Sequence, residues 1–471
     1  MKFSPRILRR LSSIVGREGL LYDPTDLQVY EYDASLEKER PGAVVLPTSR
    51  EEVIEIIKLA WKEKIPFVAR GSGTNLSGGS VPPEGGLVIE FSRMNRILEI
   101  DLENLCAVVE PGVYNLELSN IIAPYGYYYA PDPASQKVST LGGNVGENAG
   151  GPHCLKYGVT ANHVLGLELV LPDGELVELG GKSGDSPGYD LMGLLVGSEG
   201  TLAIVTKIVV RIMKIPQSVQ TFLVIYDTIE EAGESVSAII AEGILPATLE
   251  MMDRTVMAAV EASLQAGYPL DAEAVLIIEL DGLPESMPRL SQKIRQICQH
   301  HGAREVRMAQ TPAEREVLWA GRRGAFGAIA RVAPNYLVTD GTVPRNHLPQ
   351  VLRKVKEIGE RYGLIIGNVL HAGDGNLHPL ILFDERNQEE KERVIRAGME
   401  ILEVCAQAGG TISGEHGIGL EKIAAMGLVC GVNELRAYRF LKETFDPLNL
   451  CNPRKVLPSQ EIGEGKEAIS A

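Results

Sequence analysis

An α+β protein of two domains is what this sequence predicts, and three observations predict it. Residues 50–63 (REEVIEIIKLAWKE) have helical periodicity and run into the strand-like IPFVAR, which opens straight into the glycine loop GSGTNLSGGS. Up to about residue 215 the chain is rich in short strands, GLVIEF, AVVEPGV, GLELVLPDGELVEL and TLAIVTKIVVRI, with turns marked by Pro-Gly and Asp-Gly. After Pro216 the texture changes to a β-α-β-α alternation: TFLVIYD, IEEAGESVSAIIAEG, AVLIIELDG and SQKIRQICQHHG. These shifts divide the chain into a first domain over 1–215, a second over 216–431, and a C-terminal segment over 432–471.

Each remaining element follows from pattern. The start, MKFSPRILRRLSSIVG, sets Ile7, Leu8, Leu11 and Ile14 at helical spacing, which reads as a helix docking on the first core; a basic surface anchor is the alternative. In the second domain, helical patterns at 313–332, 346–361 and 386–408 surround two apolar strands, LIIGNVLH and NLHPLILF, joined by the short turn AGDG. The tail is a helix from 432 followed by the irregular FDPLNLCNP, and the last dozen residues read as disordered.

Composition removes several function classes. Lys plus Arg is 46 against 62 for Asp plus Glu, a formal charge of -16 that repels phosphate backbones and argues against a nucleic-acid partner. With 50 glycines, 27 prolines and only 5% aromatic residues, the chain favours tight turns and close backbone approaches over stacking platforms. The six cysteines form no CxxC pair and no iron-sulfur spacing, so they read as buried thiols in a reducing compartment. There is no apolar run of about 18 residues and no signal-peptide core, and the expected localisation is cytoplasmic.

Two glycine clusters carry the first chemical signal. In the loop Arg70, Gly71, Ser72, Gly73, Thr74, Asn75, Leu76, Ser77, Gly78, Gly79, successive glycines let backbone amides converge on one anion such as a pyrophosphate. Leu76 stands where GxGxxG needs its third glycine, and no GxxxxGK[ST] occurs, so neither dinucleotide nor P-loop fingerprints apply. The second cluster, LGGNVGENAGG over 141–151, follows the turn PDPASQKVST and offers a flat ring a surface without side-chain bulk. A plain glycine turn is the alternative for the first cluster, and a crowded helix–sheet crossing for the second.

The histidines carry the second signal. HAGDGNLH puts His371 and His378 on the two arms of a tight turn, where their imidazoles can converge as a metal site requires. Gly414, Glu415, His416 and Gly417 add a carboxylate and another imidazole, giving a His, His, Glu set with an adjacent base. A hairpin with incidental histidines, or histidines that bind substrate without a metal, are the alternatives. His300, His301 and His347 read as solvated, while His153 and His163 flank the second glycine cluster.

Taken together with Gly197, Ser198, Glu199, Gly200, Thr201 and Leu202, these segments resemble the FAD-linked oxidases of the vanillyl-alcohol oxidase type, within them the glycolate oxidase D subunit and D-lactate dehydrogenase group, over nearly the whole chain. The resemblance implies a two-part FAD-binding domain and an α/β substrate (cap) domain built on an antiparallel sheet. It implies FAD held by Arg70, Gly71, Ser72, Gly73, Thr74, Asn75, Gly78 and Gly79 at the pyrophosphate. Along the flavin it implies Pro131, Asp132 and Ser135 with Gly142, Gly143, Asn144, Asn148 and Gly150; toward the flavin and adenine end, Gly200, Thr201, Ile204 and Val205. Thr74 stands where covalent relatives carry histidine, so FAD is expected to be non-covalent. Asn452, in the tail that returns to the FAD domain, is expected to play a structural part near the cofactor, although Arg454 replaces the usual glycine.

The same resemblance implies that His371, His378 and Glu415 hold a divalent metal, zinc or manganese, and that His416 takes the substrate hydroxyl proton. Arg322, in LWAGRRGAF, is the candidate to grip the substrate carboxylate through two parallel hydrogen bonds, with Arg323 as its alternative. Relatives acting on D-2-hydroxyglutarate have Asn where this chain has Pro379 and Lys where it has Val338, which favours a small D-2-hydroxy acid, D-lactate or glycolate.

The alternatives are a D-2-hydroxyglutarate dehydrogenase and a non-catalytic FAD-binding subunit; an ether-lipid synthase is disfavoured because the chain lacks a run of three histidines. No residue set here accepts the electrons onward, so an iron-sulfur subunit, an electron-transferring flavoprotein or quinone is the expected acceptor. Peripheral membrane association and a homo-oligomer stay open.

Overall fold

In the computed structural model, residues 3–83, 85–183 and 187–459 are described; the last dozen residues, read above as disordered, lie outside them. The chain forms two compact units, one of Met1–Gly150, Gly158–Ile215 and Glu415–Ala471, the other of Gly151–Tyr157 and Pro216–Gly414.

Among the described residues, the first unit holds two main sheets. A four-stranded sheet runs in the order Leu20–Leu21, Ala43–Val45, Leu87–Glu90, Phe67–Arg70, parallel except for its first pair. Helix Arg50–Glu63, capped by the Ser49 hydroxyl on the Glu52 amide, buries Val53, Ile56, Ile57 and Ala60 in this sheet's core. The N-terminal helix Pro5–Val15 joins the same core through Leu11 and Val15, with Ile7, Leu8 and Ile14 packed against it, which is the docking role its spacing predicts.

The second sheet is five-stranded and antiparallel, in the order Ile97–Asp101, Cys106–Val109, Ile204–Arg211, Val164–Val170, Leu176–Gly180. Its core takes in Leu141 and Val145 from the short helix Leu141–Glu147. This pair of sheets has the two-part form that the resemblance implies for the first domain.

The second unit is built on a seven-stranded antiparallel sheet in the order Glu305–Met308, Ser218–Tyr226, Ala274–Gly282, Thr248–Asp253, Ile366–His371, Asn376–Phe383, Asn335–Val338. One face packs on helices Arg254–Leu264, Pro312–Arg323 and Ala325–Ile329, through Met252, Val256, Trp319, Ile329, Val369 and Leu380. On the other face, Gly398 of helix Gln388–Gln407 lies against Leu337 and Ile381. Strand Thr248–Asp253 and helix Arg254–Leu264 extend the alternation read from sequence.

The boundaries differ from those drawn on texture. The returning segment joins the first unit from Glu415 instead of 432, because its backbone is already tied there: Leu420 donates its amide to the Ser77 carbonyl, and Ile418 and Gly419 donate theirs to the Glu199 carboxylate. Residues 151–157 go with the second unit, where Tyr157 donates to Asp281 at 2.5 Å and Lys156 pairs with the same carboxylate. Neither tie has a periodic signal. Of the cysteines, Cys106, Cys298, Cys405 and Cys451 are buried as expected, whereas Cys154 and Cys430 are half-buried. Among the described residues no helix is long and apolar enough to cross a membrane.

Candidate functional site

The glycine loop of the first unit is organised from within by Asn75, whose side-chain carbonyl accepts the amides of Ser77 at 2.9 Å and Gly79 at 2.7 Å. That fixes the second half of the loop. In the first half, the amides of Ser72, Gly73 and Thr74 donate to no protein acceptor among the described residues, which leaves them available to an anion. Gly73, at φ +69°, is required: a Cβ there would stand 2.1 Å from the Arg70 guanidinium.

Arg70 plays a different part from the one expected. Its guanidinium is buried and donates to the carbonyls of Tyr32 at 2.7 Å and Ser80 at 3.2 Å, so it braces the loop from behind instead of presenting charge to a phosphate. The cost of burying a cation makes such a double anchor necessary.

The second cluster answers both readings, glycine by glycine. Thr140 caps helix Leu141–Glu147 by accepting the Gly143 amide, and a Cβ on Gly142 would lie 2.5 Å from Pro111, so Gly142 serves a crowded crossing. Gly146 is open: a Cβ there would meet only the Gly200 nitrogen at 4.0 Å, and one on Gly200 would meet nothing within 4 Å. The helix end and the turn before strand Ile204–Arg211 are joined directly, Gly197 and Glu199 donating their amides to the Val145 and Gly146 carbonyls, and a bare, side-chain-free channel opens beside Gly200. Asn144 is buried, donating to Asn115, which in turn donates to the Pro131 carbonyl.

Around this channel, Asn148 ends the helix in the left-handed conformation and accepts the Ala161 amide, and Ser135 shapes its turn by accepting the amides of Val138 and Ser139. The Thr201 hydroxyl donates to Ser198. Ile204 lies in the apolar core, so only its backbone is available to a ligand, while Val205 is half-buried. Asn452 donates to the carbonyls of Gly79 and Glu199, at 2.9 and 2.7 Å, and its own buried side-chain oxygen accepts no hydrogen bond among the described residues. An orphaned acceptor, unpartnered loop amides and a side-chain-free channel together fit an FAD.

Glu199 and Glu147 lie in the glycine segments named from the sequence, which assigns neither a role of its own. Glu199 accepts the amides of Ile418 and Gly419 at 2.6 and 2.7 Å, while Asn75 and Ser77 donate to the His416 carbonyl at 3.3 and 2.9 Å. The backbone carrying His416 is thus held on both sides. Gly417, at φ +84°, would bring a Cβ within 2.8 Å of both carboxylates. Burial, then each other's proximity for Glu147, pushes that carboxyl well up; burial also raises Glu199 against the two amides it accepts. Within GEHG itself, His416 Nε2 lies 3.9 Å from Glu415 Oε1.

The second unit brings His371 and His378 together. His371 ends its strand and pairs with Asn376, and His378 lies two residues further on, so both rings stand on one face with centroids 5.1 Å apart and planes at 89°. Both are buried, and His378 Nδ1 lies 3.6 Å from Asp340 Oδ1. Gly414 donates its amide to Asp340 and lies against Asn376, where a Cβ would be 2.5 Å from the side chain; Glu415 follows it in the chain. Two imidazoles and nearby carboxylates are a donor set that suits a borderline divalent ion.

Arg322 reaches the same face but does not offer a fork to a ligand. It is 3% exposed, and its Nε and Nη2 both go to Glu250 Oε2, at 2.7 and 2.5 Å. The expected bidentate grip on a substrate is corrected accordingly: that edge of the guanidinium is spent on Glu250. Arg323 is exposed on the helix and paired with Glu316. Glu250 also meets His371 Nδ1 at 2.8 Å. Burial drives its carboxyl up, but Arg322 and His371 overcome that and hold it below the ordinary range. Glu250, an acid set among the apolar residues of ATLEMMD, is absent from the sequence-based candidates, and that setting is the signal that could have found it.

Comparison with known proteins agrees with these two halves. Residues 41–180 match an FAD binding domain, and residues 215–456 match the C-terminal domain of FAD linked oxidases. The chain is 44% identical over 454 residues to the glycolate oxidase subunit GlcD of Escherichia coli (strain K12), covering 96% of this chain and 91% of that protein. It is 33% identical to the D-lactate dehydrogenase of Anaerostipes hadrus, covering 97% and 98%. Among solved structures, p-cresol methylhydroxylase superposes with a TM-score of 0.78 at 18% identity, covering 96% of each chain. Alkyldihydroxyacetonephosphate synthase gives 0.75 at 22% identity, over 96% of this chain and 85% of that one. At those identities the likeness is one of fold.

Proposed function

The chain belongs to the FAD-linked oxidases, and from that premise we propose that it is a dehydrogenase of a small D-2-hydroxy acid, D-lactate or glycolate, giving the 2-oxo acid. The observation that carries the reading is the His371–His378 pair, at right angles on one buried face, with Gly414 pressed against the neighbouring Asn376 and Glu415 next in the chain. The relatives named for glycolate oxidation and D-lactate dehydrogenation support the substrate class.

When bound, the flavin supplies a hydride acceptor for the substrate Cα, and a zinc or manganese ion supplies a Lewis acid that lowers the hydroxyl pKa. Thr74, with no nucleophilic imidazole, supports non-covalent FAD. His371, His378 and Glu415 would hold the metal, each presenting one nitrogen or oxygen. His416 would accept the hydroxyl proton on its imidazole. Arg322, whose Nη1 is not engaged by Glu250, would give the substrate carboxylate a single charge-assisted bond in place of a fork.

The preference for a small acid is supported by Val338, which pairs with Leu380 on the face that carries His378, and by the adjacent Pro379. Neither offers a partner to a second carboxylate, and burying one there would be costly. The electrons then leave for an iron-sulfur subunit, an electron-transferring flavoprotein or quinone; that the Escherichia coli relative is named a subunit supports a protein partner. Thiols without close-spaced pairs support a cytoplasmic setting.

Anaerobic mixing of the purified protein with D-lactate, L-lactate, glycolate and D-2-hydroxyglutarate tests this. Bleaching of the flavin absorbance by D-lactate or glycolate, and not by D-2-hydroxyglutarate, is expected. Bleaching by D-2-hydroxyglutarate alone, or by none of the four, would overturn the substrate assignment.

A further inference from the structure

We propose that Glu250 is a positioning residue that presets His371 for metal ligation by fixing its tautomer, and that Arg322 holds Glu250 in place to do so. The inference rests on the metal reading above and concerns a residue that reading does not use.

The argument is one of donors and acceptors. Glu250 sits in strand Thr248–Asp253 directly opposite His371 on strand Ile366–His371, so register alone brings the two side chains to the same face. Arg322 Nε and Nη2 are donors only, and both converge on Oε2. With a permanent cation on one oxygen, the group facing His371 is a carboxylate, which can only accept. His371 Nδ1 lies 2.8 Å from Oε1 and 3.0 Å from Oε2, so that nitrogen must carry the hydrogen. In the neutral imidazole, the form that ligates a metal, the lone pair is then on Nε2. Glu250 is 1% exposed and Arg322 3%, so water does not compete for these bonds. A carboxylate behind a ligating imidazole fixes both ring orientation and basicity.

Glu250→Gln separates this from a purely structural role. A glutamine keeps the volume, turns its oxygen to the two Arg322 donors and leaves its NH2 facing His371. The imidazole must then accept at Nδ1 and place its hydrogen on Nε2, where it blocks a metal.

The test uses full-length, FAD-loaded protein labelled with 15N-histidine, with the His371 signals assigned by their loss in His371→Asn. In metal-stripped wild type we expect His371 protonated at Nδ1; protonation at Nε2 would overturn the inference without any need for a folded Glu250 variant. On titration with Zn²⁺ or Mn²⁺, Glu250→Gln should bind at least about tenfold more weakly with unchanged flavin absorbance. Glu250→Asp, which keeps the acceptor, should recover part of the loss. Equal affinity of wild type and Glu250→Gln would defeat the inference alone. Wild type that takes up neither ion would defeat the metal reading itself, and the inference with it.

Discussion

Asn452 donates its side-chain amide to the carbonyl of Gly79, 2.9 Å away and 373 positions earlier in the chain, and the same amide reaches the Glu199 carbonyl at 2.7 Å. One buried residue of the tail therefore locks the glycine loop to the turn beside the channel. Asn452→Ala would leave two buried acceptors unsatisfied, at about 1–3 kcal/mol. A lower melting temperature and flavin lost on gel filtration are expected; full retention of yellow colour at wild-type stability would show that the brace is dispensable.

His416 is held by its backbone, through Asn75 and Ser77, and not by its ring alone, so its imidazole can be removed without loosening the loop. His416→Ala should keep bound FAD and slow flavin reduction in a single turnover by roughly a hundredfold or more. An unchanged rate would take His416 out of the chemistry.

Arg322 distinguishes two architectures. If it were an exposed clamp, Arg322→Ala would raise KM and leave stability alone. Buried against Glu250, its removal strands a carboxylate, and a loss of about 3–5 kcal/mol is expected in chemical denaturation. Wild-type stability in that variant would restore the clamp.

Asp253 gives a pH signature. Burial raises its carboxyl from 3.8 to about 6, against the amides of Val256 and Asn368 that it accepts. The folded value exceeds the unfolded one, so the stability contributed by its protonation is complete below about pH 4 and is lost as pH rises through 6. Asp253→Asn should remove up to about 3 kcal/mol of that decline between pH 4 and 7. Parallel stability curves for the two proteins over that range would contradict the assignment.

The histidine turn was legible because its chemistry is local: HAGDGNLH carries its own hairpin, and strand alternation puts both rings on one face. The glycine clusters were legible as a class but not one by one, since whether a glycine serves a ligand or a neighbour depends on what packs against it, Pro111 for Gly142 and nothing within 4 Å for Gly200. Arg322 was found, yet its partner was not. Glu250 stands 121 positions from His371, and only the pairing of two strands distant in sequence brings them into register. Glu199 and the amides of 418 and 419 are farther apart still in sequence, and there it is two turns, not two strands, that meet. Spacing reveals what one turn assembles; it is silent on contacts made by sheet order.

The bridge from Cys451 to Phe67 has a consequence for biosynthesis. Phe67–Arg70 is the border strand of its sheet, and Phe67 exchanges backbone hydrogen bonds with Leu450 and Asn452. During translation that border has no covering until residues 450–452 have left the ribosome, so a nascent chain, or one terminated before them, would display an unsatisfied, aggregation-prone rim. Truncation just before Leu450 should for that reason yield insoluble product in place of a trimmed enzyme.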